Sequence, residues 1–433
     1  MRLLIVGGGW AGLSAAVRAV ERGWQVSLLE ASRTLGGRAR TLVSPTAGPS
    51  MHEQEDPSPA LDNGQHILIG AYAQTLALMH TLGLDPSGLL QRQPLQLQSP
   101  DGSGLTLPAL PPPWNLLLGV ARARGWDWHD RWSLVRTAAR WQHQGFRCPR
   151  TWSVAQCCST LSPRVMETLI EPLCVSALNT PLDQASGEVF LRVLRDALWS
   201  GPGASDLLLP RVDLGRLLPE AALRWLRDRG AQVQLGQRWR GPGDELAPAH
   251  DVLLLACPAW EAARLTQTVN PTWSSQAASL QHTAIATVYL QHPDPHFKGL
   301  RPAMLALPAN EQHPAQFVFD RGALLGQTSH GVLAFVVSAS QGSAEDLEAA
   351  VLQQARHQLG LTGLRPLRTV VEKRATFACT PVLQRPPATI AQGWWACGDY
   401  VAGPYPATLE GAVRSGAEVI DQIAQSHQGQ GRC

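Results

Sequence analysis

The stretch MRLLIVGGGWAGLSAAVRAVERGWQVSLLE, residues 1–30, decides the fold. Met1 to Val6 is a short apolar run with the length of a buried strand. It opens onto Gly7-Gly8-Gly9-Trp10-Ala11-Gly12, a GxGxxG, after which Leu13, Ala16, Val17 and Val20 share one helical face. Gly23 stops that helix, and Trp24 to Leu29 reads as a second strand ending on Glu30. Each position has a physical reason. Gly7 allows the tight strand-to-helix turn, Gly9 lets backbone N–H groups approach a pyrophosphate, and Gly12 lets the helix pack close to the strand. Glu30 is placed to accept from ribose hydroxyls. Gly7, Gly9, Trp10, Ala11, Gly12 and Glu30 are therefore the first cofactor-binding set. A bare GxGxxG fits many turns; one framed by strand, helix, strand and acid predicts a dinucleotide site.

Ala31 to Arg40 reads ASRTLGGRAR, a glycine pair and two arginines just past the acid. This resembles the second signature of the FAD-binding fold shared by amine oxidases and carotenoid desaturases. The resemblance implies that Gly36 and Gly37 pass close to the cofactor and that Arg38 contacts its phosphates. The plainer alternative is a basic surface turn.

At 433 residues the chain can hold two or three units with sizeable cores. A net charge of +2 gives nucleic-acid binding no global electrostatic support. Among the eight cysteines only Cys157-Cys158 is a close pair, and no CxxC or Cys/His spacing suggests a metal. Met1 leads straight into a strand the fold needs, so no signal peptide is expected. No apolar run approaches the roughly twenty residues of a membrane span. The expected location is a reducing cytoplasm, with peripheral contact at the inner face of its membrane.

Further along, residues 43–59 read as a Pro/Ser/acid-rich surface loop, and Leu61 to Gly70 (LDNGQHILIG) runs from polar residues into an apolar element. Tyr72 to Leu82 has helical spacing. Pro94 to Pro108 is hairpin-like around Asp101-Gly102. Helical segments are expected over 115–132, 135–141, 154–158, 164–178 and 189–198, which makes 84–204 a helical cap. Glu220 to Arg229 predicts a helix and Ala231 to Leu235 a strand, where Val233 joins the expected cofactor contacts. A hairpin and the buried strand Asp251 to Cys257 follow. Ile285–Gln291, Phe317–Gly322, Val332–Ser338 and Leu367–Phe377 build a second sheet beside a helix over 344–359. Gly393–Cys397 is the last strand and 407–424 the closing helix. The fold class is α/β: a Rossmann-like FAD-binding domain (1–83, 205–275 and 388–425) with a discontinuous α+β substrate and cap domain (84–204 and 276–387). Residues 426–433 are expected to be a disordered tail.

Near the C-terminus, Ala396-Cys397-Gly398-Asp399-Tyr400 ends a strand, and GPYPATLEGA (403–412) begins a helix. In FAD proteins of this type the matching aspartate bonds the ribityl chain, and the helix N-terminus favours negative charge on the reduced ring. Gly398, Asp399, Thr408 and Leu409 are the corresponding expected contacts.

A wider set of segments carries a more specific resemblance: LDNGQHILIGAY (61–72), EPLCVSALNTP (171–181), DLLLPRVDLG (206–215), FVFDRG (317–322), KRATFACTP (373–381) and GDYVAGPYPATLEGAVRSG (398–416). Together they resemble the hydroxysqualene dehydroxylase family, flavoproteins related to phytoene desaturases, over Met1 to about Gly416. Ile170 departs from the Trp expected before Glu171-Pro172. The resemblance implies FAD, a lipid-like triterpene alcohol as substrate, replacement of an allylic C–OH by C–H, and an external electron donor. Such a reaction needs an acid for the leaving hydroxyl; Asp62, His66, Asp320 and Tyr405 are the catalytic candidates. Their plainer roles are a turn aspartate capping backbone for Asp62, a structural histidine for His66, a structural ion pair with Arg321 for Asp320, and core packing for Tyr405. Tyr400, Tyr405 and Phe319 could offer aromatic faces to a cation. Two other readings stand beside it: a desaturase or amine oxidase of the same fold, and a flavin-free prenyl-lipid carrier. The Trp/Arg-rich stretch 114–132 is either a membrane-facing helix or an inward-packing cap.

Overall fold

In the computed structural model, which describes residues 1–42, 59–245 and 247–430, Arg2–Val6 lies inside a six-stranded sheet. It pairs in parallel with Gln25–Glu30 on one side and Val252–Leu255 on the other. Gln232–Leu235 extends one edge; Trp394–Ala396 and then Thr389–Ala391 extend the other. Strands buried on both faces read as unbroken apolar runs, which is why RLLIV and VLLL show no alternation. The helix Trp10–Glu21 covers one face together with the closing helix Leu409–Gln430.

Those two helices lie very close. A Cβ added at Gly416 would stand 2.2 Å from the carbonyl oxygen of Ala11. The Ser14 hydroxyl donates to the Val413 carbonyl (2.7 Å), and Arg18 and Arg22 both reach Asp421. The ends of the chain thus fold on each other through a contact only glycine allows.

The second sheet has five strands in the order Met304–Ala306, Phe317–Asp320, Val332–Ser338, His282–Gln291 and Arg365–Phe377. Its neighbours are antiparallel. One face, with Ala286, Val288 and Phe335, packs on the helix Ala344–Leu359. The other, with Tyr289, Phe317 and Phe319, joins the large core shared with the helical segment. A small sheet sets Leu207–Pro210 between Leu68–Ile69 and Leu90–Gln93, a long-range pairing that no local signal announces.

Three local expectations are corrected. The stretch expected as one helix over 115–132 is two, Trp114–Arg122 and the start of Trp128–His143, because Asp127 and Asp130 form a capping box that begins a new helix after Gly125. No hairpin stands between Leu235 and Asp251 among the described residues; Gly236, Gly241 and Gly243, all at positive φ, turn the chain instead. The closing helix continues to Gln430, so 426–430 are helical rather than tail, carrying on the helical pattern of 409–424. The expected loop over 43–59 lies, apart from Pro59, outside the described residues, as do 431–433. No helix among the described residues is long and apolar enough to cross a membrane.

Gly416→Ala should destabilise the chain by about 1–3 kcal/mol, the usual cost of overpacking. The urea midpoint of unfolding measures it.

Candidate active site

The glycine loop is shaped by contacts rather than flexibility alone. Gly7 has φ +115°, and a Cβ there would stand 2.7 Å from the Ala256 carbonyl oxygen. A Cβ at Gly12 would stand 2.0 Å from the Gly7 carbonyl oxygen. At Gly9 the nearest atom would be 3.9 Å away, so this face of the loop is open. Glu30 accepts from the Gly8 N–H and the Ser32 N–H, both at 2.7 Å, which holds its carboxylate beside the loop. Val233 pairs with Leu28 on the neighbouring strand.

The second glycine pair clasps the first. Gly36 N–H donates to the Gly8 carbonyl (2.9 Å), and Gly9 and Gly36 form a parallel bridge. A Cβ at Gly37 would stand 3.2 Å from the Gly9 Cα. Trp10, buried, donates its ring N–H to the Ala39 carbonyl (3.0 Å). Arg38 then reaches across 361 residues of sequence to Asp399 (2.5 Å) and donates to the Ala375 carbonyl (2.7 Å). The structure pairs Arg38 with the aspartate of the C-terminal signature, while sequence comparison assigned them separate contacts. That pair brings the two signatures to one place.

At the C-terminal signature, Gly398 N–H donates to the Ser415 hydroxyl (3.1 Å). The Thr408 hydroxyl accepts from the Gly411 N–H (2.9 Å), capping the closing helix. Leu409 therefore sits on the first turn, where backbone amides lack intrahelical partners and the dipole is positive. Glu410 is turned away and buried, accepting from the Gln74 and Thr75 N–H groups at 3.0 Å. Tyr400 is 3 % exposed and its hydroxyl has no partner among the described residues.

The four candidate acids separate on inspection. Asp62 is buried, and four donors fill its carboxylate: both Arg321 Nη atoms at 3.1 Å, the Leu214 N–H at 3.0 Å and the Thr41 hydroxyl at 3.0 Å. Burial pushes its pKa up, and Arg321 works against that shift. Asp320 accepts from the Ala323 N–H (3.0 Å) and the Leu300 N–H (2.7 Å), a helix cap and loop clamp. Tyr405 donates to Asp196 (2.9 Å) on the helix Gly187–Trp199, with Arg414 over its ring. These three side chains are occupied in holding segments together.

His66 differs. Its Nδ1 lies 3.0 Å from the Gly64 carbonyl, which can only accept, so Nδ1 carries the hydrogen and Nε2 is left to take or give up a second proton. Burial lowers its pKa, which keeps the ring neutral. A methyl built on Gly64 would stand 3.6 Å from His66 Cε1 and 3.8 Å from Thr287 Oγ1. Thr287 is 1 % exposed, and its hydroxyl has no partner among the described residues. Sequence reasoning passed over Thr287. In HTAIATVYLQ it shares one strand face with Thr283, Ile285 and Tyr289, a mixed stripe in which no local signal sets it apart.

Comparison with known proteins bears on the fold. Residues 5–82 match the family described as NAD(P)-binding Rossmann-like domain. The chain is 27 % identical to the hydroxysqualene dehydroxylase of Rhodopseudomonas palustris, covering 97 % of each protein. It is 26 % identical to that of Sinorhizobium fredii, covering 96 % of this chain and 97 % of the other. Among solved structures, cyclohexylamine oxidase from Brevibacterium oxydans superposes with a TM-score of 0.68 at 15 % identity over 99 % of both chains. A putrescine oxidase variant gives 0.65 at 18 %, over 98 % of this chain and 99 % of that one. The fold is the Rossmann-like one of amine-oxidase-type FAD proteins.

Two outcomes follow from the site. Arg321→Met should cost about 3–5 kcal/mol by stranding the buried Asp62 carboxylate, and Asp62→Leu in the same chain should recover most of it; urea unfolding of the single and double variants checks this. The unfolded chain protonates His66 near its ordinary value of about 6.5, but the folded chain does so only at lower pH. Stability is therefore complete above about 6.5 and falls as the pH is lowered below it. A melting series across that range should be flatter for His66→Gln, with the remaining slope including His282, whose pKa burial also lowers.

Proposed function

We propose that the chain is an FAD-dependent oxidoreductase that removes the hydroxyl of hydroxysqualene to give squalene. Similarity over nearly the full length to proteins of that activity supports the reading. The observation that carries the chemistry is that the His66 ring and the unpartnered Thr287 hydroxyl both approach Gly64, 3.6 Å and 3.8 Å from the point where a Cβ would stand.

The residues present fit FAD. Gly9 leaves an open face, the helix from Trp10 points its N-terminus at the loop, and Glu30 stands at the end of the adjacent strand. The orphaned Tyr400 hydroxyl, next to Asp399, is a buried polar group in want of a partner. Gly9 and the first-turn amides of the helix from Trp10 would hold the pyrophosphate in a loop shaped by Gly7, Gly12, Gly36 and Gly37, and the first turn from Leu409 would face the ring. Bound reduced FAD supplies the hydride that replaces the hydroxyl.

The chain supplies the rest. The reaction breaks one C–O bond, forms one C–H bond and releases water, so one proton must reach the departing oxygen. Thr287 can hold that oxygen by a hydrogen bond. His66 can take up a proton at Nε2 from water and pass it to that oxygen; because burial lowers its pKa, the imidazolium so formed is a stronger acid than a free one. Tyr289 and Phe319 belong to the apolar lining of the same core, which excludes the water that would capture an allylic cation.

Anaerobic mixing of the photoreduced protein with hydroxysqualene in detergent should reoxidise the flavin and yield squalene. Flavin that stays reduced, with the alcohol unchanged, would rule the reaction out. His66→Gln should retain FAD and lose roughly a hundredfold in kcat, while Thr287→Val should act mainly on KM.

A further inference from the structure

The structure assigns a lipid-docking face to the two consecutive helices Trp114–Arg122 and Trp128–His143: it binds the surface of an anionic bilayer. The inference rests on exposure and charge alone and stands apart from the reaction proposed above.

Large apolar side chains here point into water. Trp114 is 63 % exposed, Trp128 76 % and Trp132 59 %, with Leu117 at 45 %. Trp126 and Trp141, in the same segment, are buried, so the exposure is selective rather than a sign of loose packing. Trp114 and Leu117 are three apart, Trp128 and Trp132 four apart, so each helix puts its pair on one side. The opposite sides are anchored. A Cβ at Gly119 would stand 2.6 Å from Leu107, and Asn115, Val120, Leu134 and Trp141 are buried. Arg131 on the second helix donates to the Ala123 carbonyl just past the first, at 3.1 Å.

Charge selects the occupant. Residues 114–150 hold seven arginines and two acidic residues, in a chain whose net charge is only +2. The two acids, Asp127 and Asp130, are spent on the capping box. Arg122, Arg124 and Arg136 are exposed, and Arg136 continues the Trp128–Trp132 stripe. Tryptophan prefers the headgroup layer, where its ring is apolar and its N–H finds water. Arginine beside it attracts anionic headgroups. A second copy of the same face would set arginine against arginine, which disfavours self-association.

The test uses the full-length, FAD-loaded protein and vesicles of phosphatidylcholine with or without an equal part of phosphatidylglycerol. Wild type should float with the anionic vesicles, remain below with phosphatidylcholine alone, and detach in high salt. The triple variants W114S/W128S/W132S and R122S/R124S/R136S should each lose about tenfold in partitioning, with melting and flavin content unchanged. Brominated phosphatidylglycerol should quench wild-type tryptophan emission, and W128F alone should lose part of that quenching, so the idea stays testable if a triple variant folds poorly. Wild type that stays below with both vesicles, or a Trp variant that floats as well as wild type, would overturn the proposal. A wild-type dimer in light scattering that the Trp variant breaks would overturn it in favour of a second copy.

Discussion

The buried pair between Asp62 and Arg321 is the constraint on which the arrangement of the two halves depends. Asp62 is bridged to Thr41, next to the second glycine signature; Arg321 sits where a strand of the five-stranded sheet turns into a short helix. Around them the Tyr289 hydroxyl donates to the Asp62 carbonyl, Arg321 reaches the Ala60 carbonyl and the Gln65 side chain, and Thr41 bridges Asp62 to Asp213. A charge pair 1 % and 5 % exposed tolerates little displacement, since any opening leaves an ion without water. The loop from Gly64 to His66 hangs directly from this anchor, so the imidazole inherits its position.

The second ion pair works differently. Arg38 and Asp399 stand beside a cleft made of glycines and helix N-termini, which is already rich in positive potential. Pairing them with each other keeps both signatures in register without a ligand. A dinucleotide entering there would meet a guanidinium and a carboxylate already held in place.

How much of this was legible in the sequence depends on the range of the interaction. Gly7, Gly12 and Glu30 could be read because their roles are local: a turn, a close helix and a strand end. The C-terminal Gly398-Asp399 could be read because a strand, a turn and a helix lie within a few residues. Asp62 was picked out for the right loop but not for its partner, since Arg321 is 259 residues away and nothing in either segment names the other. Sequence offered Asp320 either an acid's role or an ion pair with its neighbour Arg321, but Arg321 pairs with Asp62 while Asp320 caps a helix, and Tyr405 donates to Asp196; partners so far apart in sequence leave no local mark. Thr287 was missed because a threonine in a strand is ordinary, and only the absence of a partner makes it stand out.

The close crossing at Gly416 has a consequence in time. Ser14, on the helix after the first glycine loop, leaves a ribosome 399 residues ahead of its partner Val413 on the closing helix. At roughly 5–20 residues per second the N-terminal helix waits on the order of tens of seconds for its partner. During that interval Trp10–Glu21 has its own strands to pack on but lacks the closing helix, and Arg38 lacks Asp399. The two signatures can therefore meet only after nearly four hundred residues have been made, so their pairing through Arg38 and Asp399 is a late step in the chain's folding.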